Sequence, residues 1–86
     1  MKKIAFHRYF RKELDKLPDE IREAFYNRFK IFINNNFDPI LNNHKVYNVF
    51  PNSRSINVTG DYRAIYEVGD DCLLFVRINK HSELYG

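Results

Sequence analysis

Apolar residues recur along this chain in different rhythms, and each rhythm marks an element. Lys2-Lys3-Ile4-Ala5-Phe6 reads as a short first strand. The period then lengthens. Phe6, Phe10, Leu14 and Leu17 recur at helical spacing, with Arg8, Arg11, Lys12, Glu13, Asp15 and Lys16 between them, which predicts an amphipathic helix opened by His7. Pro18 closes it, because proline disfavours helical backbone in the residue before it. Pro18, Asp19 and Glu20 also suit the first turn of a second helix, where proline loses no hydrogen bond and acids complement the helix dipole. Ile21, Phe25, Phe29, Phe32 and Ile33 form its apolar stripe, and Asn34-Asn35-Asn36 followed by Asp38-Pro39 stops it. The pair reads as a helical hairpin laid on a sheet.

Residues 37–53 follow no single period, although Lys45-Val46-Tyr47 has the composition of a short strand. Beyond them the period is two. Ile56 and Val58 face one way and Ser55, Asn57 and Thr59 the other; Gly60-Asp61 turns the chain; Ala64, Tyr66 and Val68 then share a face. Gly69-Asp70-Asp71 is a second turn signal. Cys72 to Ile78 is almost continuously apolar, as expected of a central strand covered on both faces, and Asn79 to Gly86 leaves the sheet. The predicted order is β-α-α-β-β-β, with room for one more short strand. This is an α+β fold in which a two-helix hairpin packs on a small, mainly antiparallel sheet.

Composition narrows the class. A chain of 86 residues has enough for one core, so residues 1–86 are expected to form a single domain. At 44% hydrophobic and 16% aromatic it can bury enough surface to fold. One cysteine excludes an internal disulfide framework, and Cys72 reads as a buried thiol of a cytosolic protein. No long apolar stretch marks a signal peptide or membrane span, so a cytoplasmic location is expected and no membrane partner. The net charge of +3 is unevenly placed: residues 1–30 hold nine Lys/Arg against five Asp/Glu, whereas residues 45–86 hold five of each. The basic front half suits contact with a polyanion such as RNA, with the chemistry elsewhere.

A few residues break the pattern in ways that matter for chemistry. Arg77 interrupts the last strand, and alternation sets it on the face of Leu73 and Phe75; on an open concave face its guanidinium could fork onto a phosphate. The competing reading pairs it with Glu67 or lets it snorkel from the strand end. His81 follows at the same strand end, and imidazole can exchange protons near neutrality. Asp61 sits in a turn, where aspartate serves turn geometry more often than catalysis. His7, His44 and His81 are far apart, and no metal-ligand spacing or glycine-rich phosphate loop occurs, so no metal or cofactor is expected.

The last part of the chain carries a family resemblance. Arg54-Ser55-Ile56-Asn57-Val58-Thr59-Gly60-Asp61-Tyr62-Arg63-Ala64-Ile65-Tyr66 resembles the strand-turn-strand of the RelE/StbE toxins, R-S-x-x-(I/V)-x-x-D-(W/Y)-R-(L/V/A)-I-Y. Leu74 to Tyr85 resembles the closing strand and tail of the YafQ-like branch of the RelE/ParE superfamily, F-x-x-x-G-(T/S)-H-(S/A)-x-L-(F/Y)-G. By that resemblance His44 takes the place of the family's first active-site histidine, Asp61 its aspartate and Tyr62 the tryptophan. Arg77 lies four residues before the late His81, and Tyr85 four after it, as the family's arginine and final aromatic do. Asn57 stands where the family has a second histidine, and Asn79-Lys80 replaces the usual Gly-Thr.

The resemblance implies a toxin of a type II toxin-antitoxin system: an endoribonuclease that cuts mRNA in the ribosomal A site, needs no metal, and is neutralised by a cognate antitoxin. Operator DNA would be contacted only through that antitoxin. It further implies His81 as general acid, Asp61 as base or as orienter of His81, Arg77 on the phosphate and His44 as alternative base. The exchange of acid and base between His81 and Asp61 stays open. Tyr62 and Tyr85 would stack on RNA bases, with Asn57, Lys80 and Arg54 also on the substrate. The rivals are a ParE-like toxin that binds gyrase, against which His81 and Tyr85 argue, and a decayed toxin that only binds antitoxin and operator DNA, which Asn57 keeps in play.

Overall fold

The computed structural model describes residues 2–85. Strand β1 (Lys3–Phe6) leads into helices α1 (Arg8–Lys16) and α2 (Asp19–Asn34). A single 3₁₀ turn at Pro39–Leu41 precedes strands β2 (His44–Lys45), β3 (Ser53–Asn57), β4 (Tyr62–Val68) and β5 (Cys72–Lys80), and a short helix α3 (His81–Tyr85) follows. The sheet order is β1-β5-β4-β3-β2, with β1 parallel to β5 and every other pair antiparallel. The α+β class and the helical hairpin are therefore as the hydrophobic pattern predicts.

His7 caps α1 by accepting a hydrogen bond from the Tyr9 amide on Nδ1 at 3.0 Å. Leu17 leaves the helix just before Pro18, and α2 begins at once with Asp19 and Glu20 in its first turn. Arg22 ties the junction together, bonding the Asp15 and Leu17 carbonyls and pairing with Asp19. Phe10 and Phe25 join the two helices, ring centres 5.3 Å apart.

One side chain gathers this layer onto the sheet. Phe75 of β5 is fully buried, and its ring centre lies within 5.3–5.8 Å of six others, Phe6, Phe10, Phe25, Phe29, Phe32 and Tyr66. Ile56, Val58, Ala64 and Ile78 complete the same core from the sheet. Ile65 and Leu84 are buried too but lie outside that core. Ile65 points to the other face, which α3 partly covers.

Three details depart from the pattern. The extra strand is shorter and earlier than Lys45–Tyr47, because only His44 and Lys45 pair with β3 before the chain turns at Val46. The tail stays in regular structure through Tyr85, with β5 continuing to Lys80 and residues 81–85 turning into helix, while Gly86 lies outside the described residues. β5 is covered fully on one face only, with Leu74 and Val76 half-exposed on the other, and Cys72 is likewise only half-buried. Among the described residues no helix is long and apolar enough to cross a membrane.

Phe75→Ala should lower stability by about 3–5 kcal/mol, the range for emptying a large aromatic site. Ile33→Ala on the exposed edge of α2's stripe, 52% exposed, should stay within roughly 0.5 kcal/mol of the parent. Urea unfolding of the two variants checks both; equal losses would show that Phe75 is not the organising residue.

Candidate functional site on the open sheet face

Cross-strand neighbours share a face of a sheet. The register aligns His44, Ser55, Ile65 and Arg77 across four strands, and Asn57, Arg63 and Asn79 one step further on. This row lies on the face opposite the buried core, and only at its β5 end do Arg77 and Asn79 reach α1, through Glu13. Where β2, β4 and α3 meet it lies an open pocket of about 430 Å³, lined by His44, Lys45, Tyr47, Arg63, His81 and Tyr85 among others, with no acidic residue in its wall.

His44 enters from the edge strand. Its Nδ1 lies 2.9 Å from the carbonyl of Asn42. A carbonyl only accepts, so Nδ1 carries a proton, and in the neutral ring Nε2 is then the nitrogen with the lone pair. His81 is the first residue of α3, and its amide donates to the Asp61 carbonyl at 2.9 Å, which pins the strand-to-helix turn to the β3–β4 loop. One helical turn later the Tyr85 ring sits 4.5 Å from the His81 ring. Phe50 meets Tyr85 edge-on at 6.1 Å, and the Tyr85 hydroxyl is buried without a partner among the described residues. Arg63 projects from β4 and donates to Ser55 Oγ at 3.3 Å; among the described residues no carboxylate pairs with it. Two imidazoles, a guanidinium and an aromatic ring thus share one cationic cleft.

Of the residues singled out in the sequence, the fold brings His44, His81 and Tyr85 together, with Asn57 beside Arg63 in the register. Asp61 is exposed and meets His81 through its backbone carbonyl. Tyr62 pairs with Lys80 on the helix side, where Tyr62 packs against the core and the Lys80 ammonium stands 6.0 Å over its ring. Arg54 is on that side as well, paired in register with Tyr66.

Arg77 requires a correction. Alternation assigned it to the face of Leu73 and Phe75. Tyr66 pairs with Phe75 but Ile65 with Arg77, so Val76 is an extra residue in β5, and this bulge turns Arg77 to the opposite face. There it is held by Glu13 of α1, Nε to Oε1 at 2.8 Å and Nη2 to Oε2 at 3.1 Å, with its guanidinium 5.2 Å over the Tyr9 ring. Glu13 also accepts from the Ile78 amide at 3.0 Å and from Asn79 Nδ2 at 3.1 Å. β1 pairs with β5 only as far as Phe75, and the Glu13 carboxylate closes the ladder where that partner strand ends.

Sequence reasoning missed Arg63 and Glu13. Arg63 lies within the strand-turn-strand motif, and the strand alternation that buries Ala64 and Tyr66 turns it outward. Glu13 was legible as an anomaly, since it falls between Phe10 and Leu14 on the side of α1 that meets the sheet; a charge there calls for a partner.

The fold has close likenesses among known proteins. The chain superposes on the crystal structure of YafQ from E. coli with a TM-score of 0.80 over 100% of both chains, at 21% identity. It matches the E. coli DinJ-YafQ complex at 0.78, 22% identity and full coverage of both chains. It also matches a RelB-RelE antitoxin-toxin complex from Methanococcus jannaschii at 0.75, with 26% identity over 94% of each chain. The fold is that of the YafQ and RelE toxins. A family model described as ParE toxin of type II toxin-antitoxin system, parDE, matches residues 4–85. The chain belongs to this family of toxins. Among curated proteins no sequence matches it.

The Glu13 cluster makes a pH-dependent contribution to stability. Burial pushes its carboxyl up, but hydrogen bonds from Arg77, the Ile78 amide and Asn79, with the charge of Arg77, outweigh that and hold it below the ordinary range. A carboxyl depressed on folding stabilises the protein above its unfolded pKa, and the contribution is lost as pH falls through the folded one. Glu13→Gln should therefore cost about 1–3 kcal/mol at neutral pH. The gap to the parent should shrink once pH drops below the ordinary carboxylate range. Urea unfolding at a series of pH values measures it, and a gap constant in pH would mean that the charge of Glu13 contributes nothing.

Proposed function

We propose that this toxin is an endoribonuclease that cleaves mRNA in the ribosomal A site, with the acid-free cleft of His44, His81 and Arg63 as its active site. The observation that carries the reading is the pair of imidazoles facing one pocket, one of them with its tautomer set by a backbone carbonyl. His44 Nε2 takes the proton from the RNA 2′-OH, and the resulting oxygen attacks the adjacent phosphorus in line. Arg63 stabilises the negative charge that develops on the phosphoryl oxygens. Protonated His81 gives its proton to the departing 5′-oxygen, leaving a 2′,3′-cyclic phosphate and a free 5′-hydroxyl. Tyr85 stacks on a base. Every proton is carried by side chains of the chain itself, so the route needs no metal. His44 here takes the base role that the family resemblance gave first to Asp61, and Arg63 takes the phosphate role given to Arg77.

A cognate antitoxin is the expected partner, as DinJ is for YafQ and RelB for RelE in the matched complexes. The site of action would be the cytoplasm, where ribosomes are, and operator DNA would be reached only through the antitoxin. The exposed cations of α1, Arg8, Arg11, Lys12 and Lys16, are placed to meet ribosomal RNA. The matching family is described as ParE toxins, which supports the rival that the resemblance also offered, a toxin that binds gyrase without cleaving RNA.

Single-turnover cleavage on programmed ribosomes, measured beside ribosome affinity, separates the readings. His81→Ala and His44→Ala should each lower the cleavage rate by about a hundredfold to ten-thousandfold with affinity nearly kept. Arg63→Ala should lower both, whereas Arg77→Ala should act mainly on stability. Affinity should fall steeply with salt, since each phosphate contact releases counterion. Intact mRNA together with gyrase-linked DNA breaks in arrested cells would replace this reading with the ParE one. Intact mRNA and unbroken DNA, with tight antitoxin binding, would mark a decayed toxin.

A further inference from the structure

His44 stands on a two-residue strand at the sheet edge, at the end of an irregular segment that begins at Asn35. Two register pairs and one further bond, from the Val46 amide to the Ser53 carbonyl at 3.1 Å, hold this strand weakly, and edge strands fray. Leu41 is fully buried and anchors the segment, but apolar burial is non-directional and does not orient the residues beyond it. What fixes the approach to His44 is polar and lies on the other face of the sheet.

Successive residues of a strand point to opposite faces. His44 faces the pocket, so Asn43 faces the helix side, and there it is bonded in three directions. Its Oδ1 accepts from Arg54 Nε at 2.7 Å. Its Nδ2 donates to the Tyr66 hydroxyl at 2.7 Å and to the Asn36 carbonyl at 2.8 Å. Arg54 is itself fixed, with its guanidinium 5.0 Å over the Phe37 ring and its backbone paired in register with Lys45 of β2 and Tyr66 of β4. Asn42, between the 3₁₀ turn and Asn43, adopts left-handed backbone at φ 45° and ψ 51° and offers its carbonyl to His44 Nδ1. Asn43 is therefore the joint on which the peptide that sets the His44 tautomer depends.

We propose that Arg54 is a positioning residue: acting through Asn43, it fixes the orientation and tautomer of His44 from the reverse face of the sheet and does not touch RNA. The family resemblance had counted Arg54 with the substrate-binding residues. On the helix side, bonded to Asn43 and stacked on Phe37, it stands behind the sheet from the cleft. The proposal rests on the ribonuclease reading for its effect on catalysis, but its structural core concerns His44 alone.

The test uses Arg54→Met, which keeps an unbranched apolar stem and removes the donors, and Arg54→Lys, which keeps the charge and a donor group in case the first variant folds poorly. Nitrogen NMR of the His44 ring reports the tautomer whether or not the protein cleaves RNA. The parent should show His44 protonated on Nδ1. In Arg54→Met the signal should move toward a tautomer mixture or broaden, with partial recovery in Arg54→Lys. A folded variant of either kind with unchanged His44 resonances overturns the proposal. Cleavage supplies the second arm as a double-mutant cycle. Arg54→Met should slow cleavage by about ten- to a hundredfold, as misplaced catalytic groups do, with ribosome affinity unchanged. In a His44→Ala background it should have almost no further effect. Equal losses in both backgrounds, or a lost phosphate contact in the salt dependence of affinity, would place Arg54 on RNA and overturn the proposal. If the parent itself fails to cleave, the ribonuclease reading falls, and the His44 resonances alone decide whether Arg54 sets the ring.

Discussion

The ring of Phe75 is where the layers of this fold meet. Strand β1, both long helices and strand β4 each bring an aromatic residue to it, and the ring sits in the central strand of the sheet's apolar half. A domain of this size has little apolar surface to distribute between two cores. Concentrating it around one ring commits the helices to a single face. The opposite face carries Ser55, Asn57 and Arg63, and the five residues of α3 cover part of it. The cleft is thus the other side of the same packing decision.

Polar residues divide along the same line. Where α1 meets the end of β1, and behind the cleft at Asn43, charges and amides are matched: Glu13 with Arg77, the Ile78 amide and Asn79, and Asn43 with Arg54 and Tyr66. In the cleft Arg63 has only a hydroxyl, and the Tyr85 hydroxyl has no partner among the described residues. Unmatched cationic and hydrogen-bonding capacity on one face is what an anionic substrate would satisfy.

The elements were readable because helix and strand periods are local properties: Phe6, Phe10 and Leu14 announce α1, and Ala64, Tyr66 and Val68 announce β4. Three features of the site escaped for one physical reason, which is that they depend on contacts distant in sequence. The bulge at Val76 is invisible to alternation, and it alone sends Arg77 to the other face. The bond between Arg54 and Asn43 exists only because β2 and β3 are paired. The role of Glu13 depends on β1 ending at Phe6, a fact about the sheet rather than about the helix. His44, His81 and Tyr85 were named from the family motif, and no period in the chain would have put them in one pocket.

The position of β5 has a consequence for how the molecule comes into being. Among the described residues β1 has one strand partner, β5, and the register joins Lys3 to Cys72. A chain emerging from the ribosome must therefore hold its first strand and its helical hairpin unclosed until residues 72–80 are exposed. Phe75 supplies the hub of the core at that same moment, and His81 follows directly behind it. Folding with such long sequence separation is slow to begin and hard to half-complete. Nascent chains truncated short of β5 would lack core and cleft together, which separates the synthesis of this toxin from the assembly of its active form.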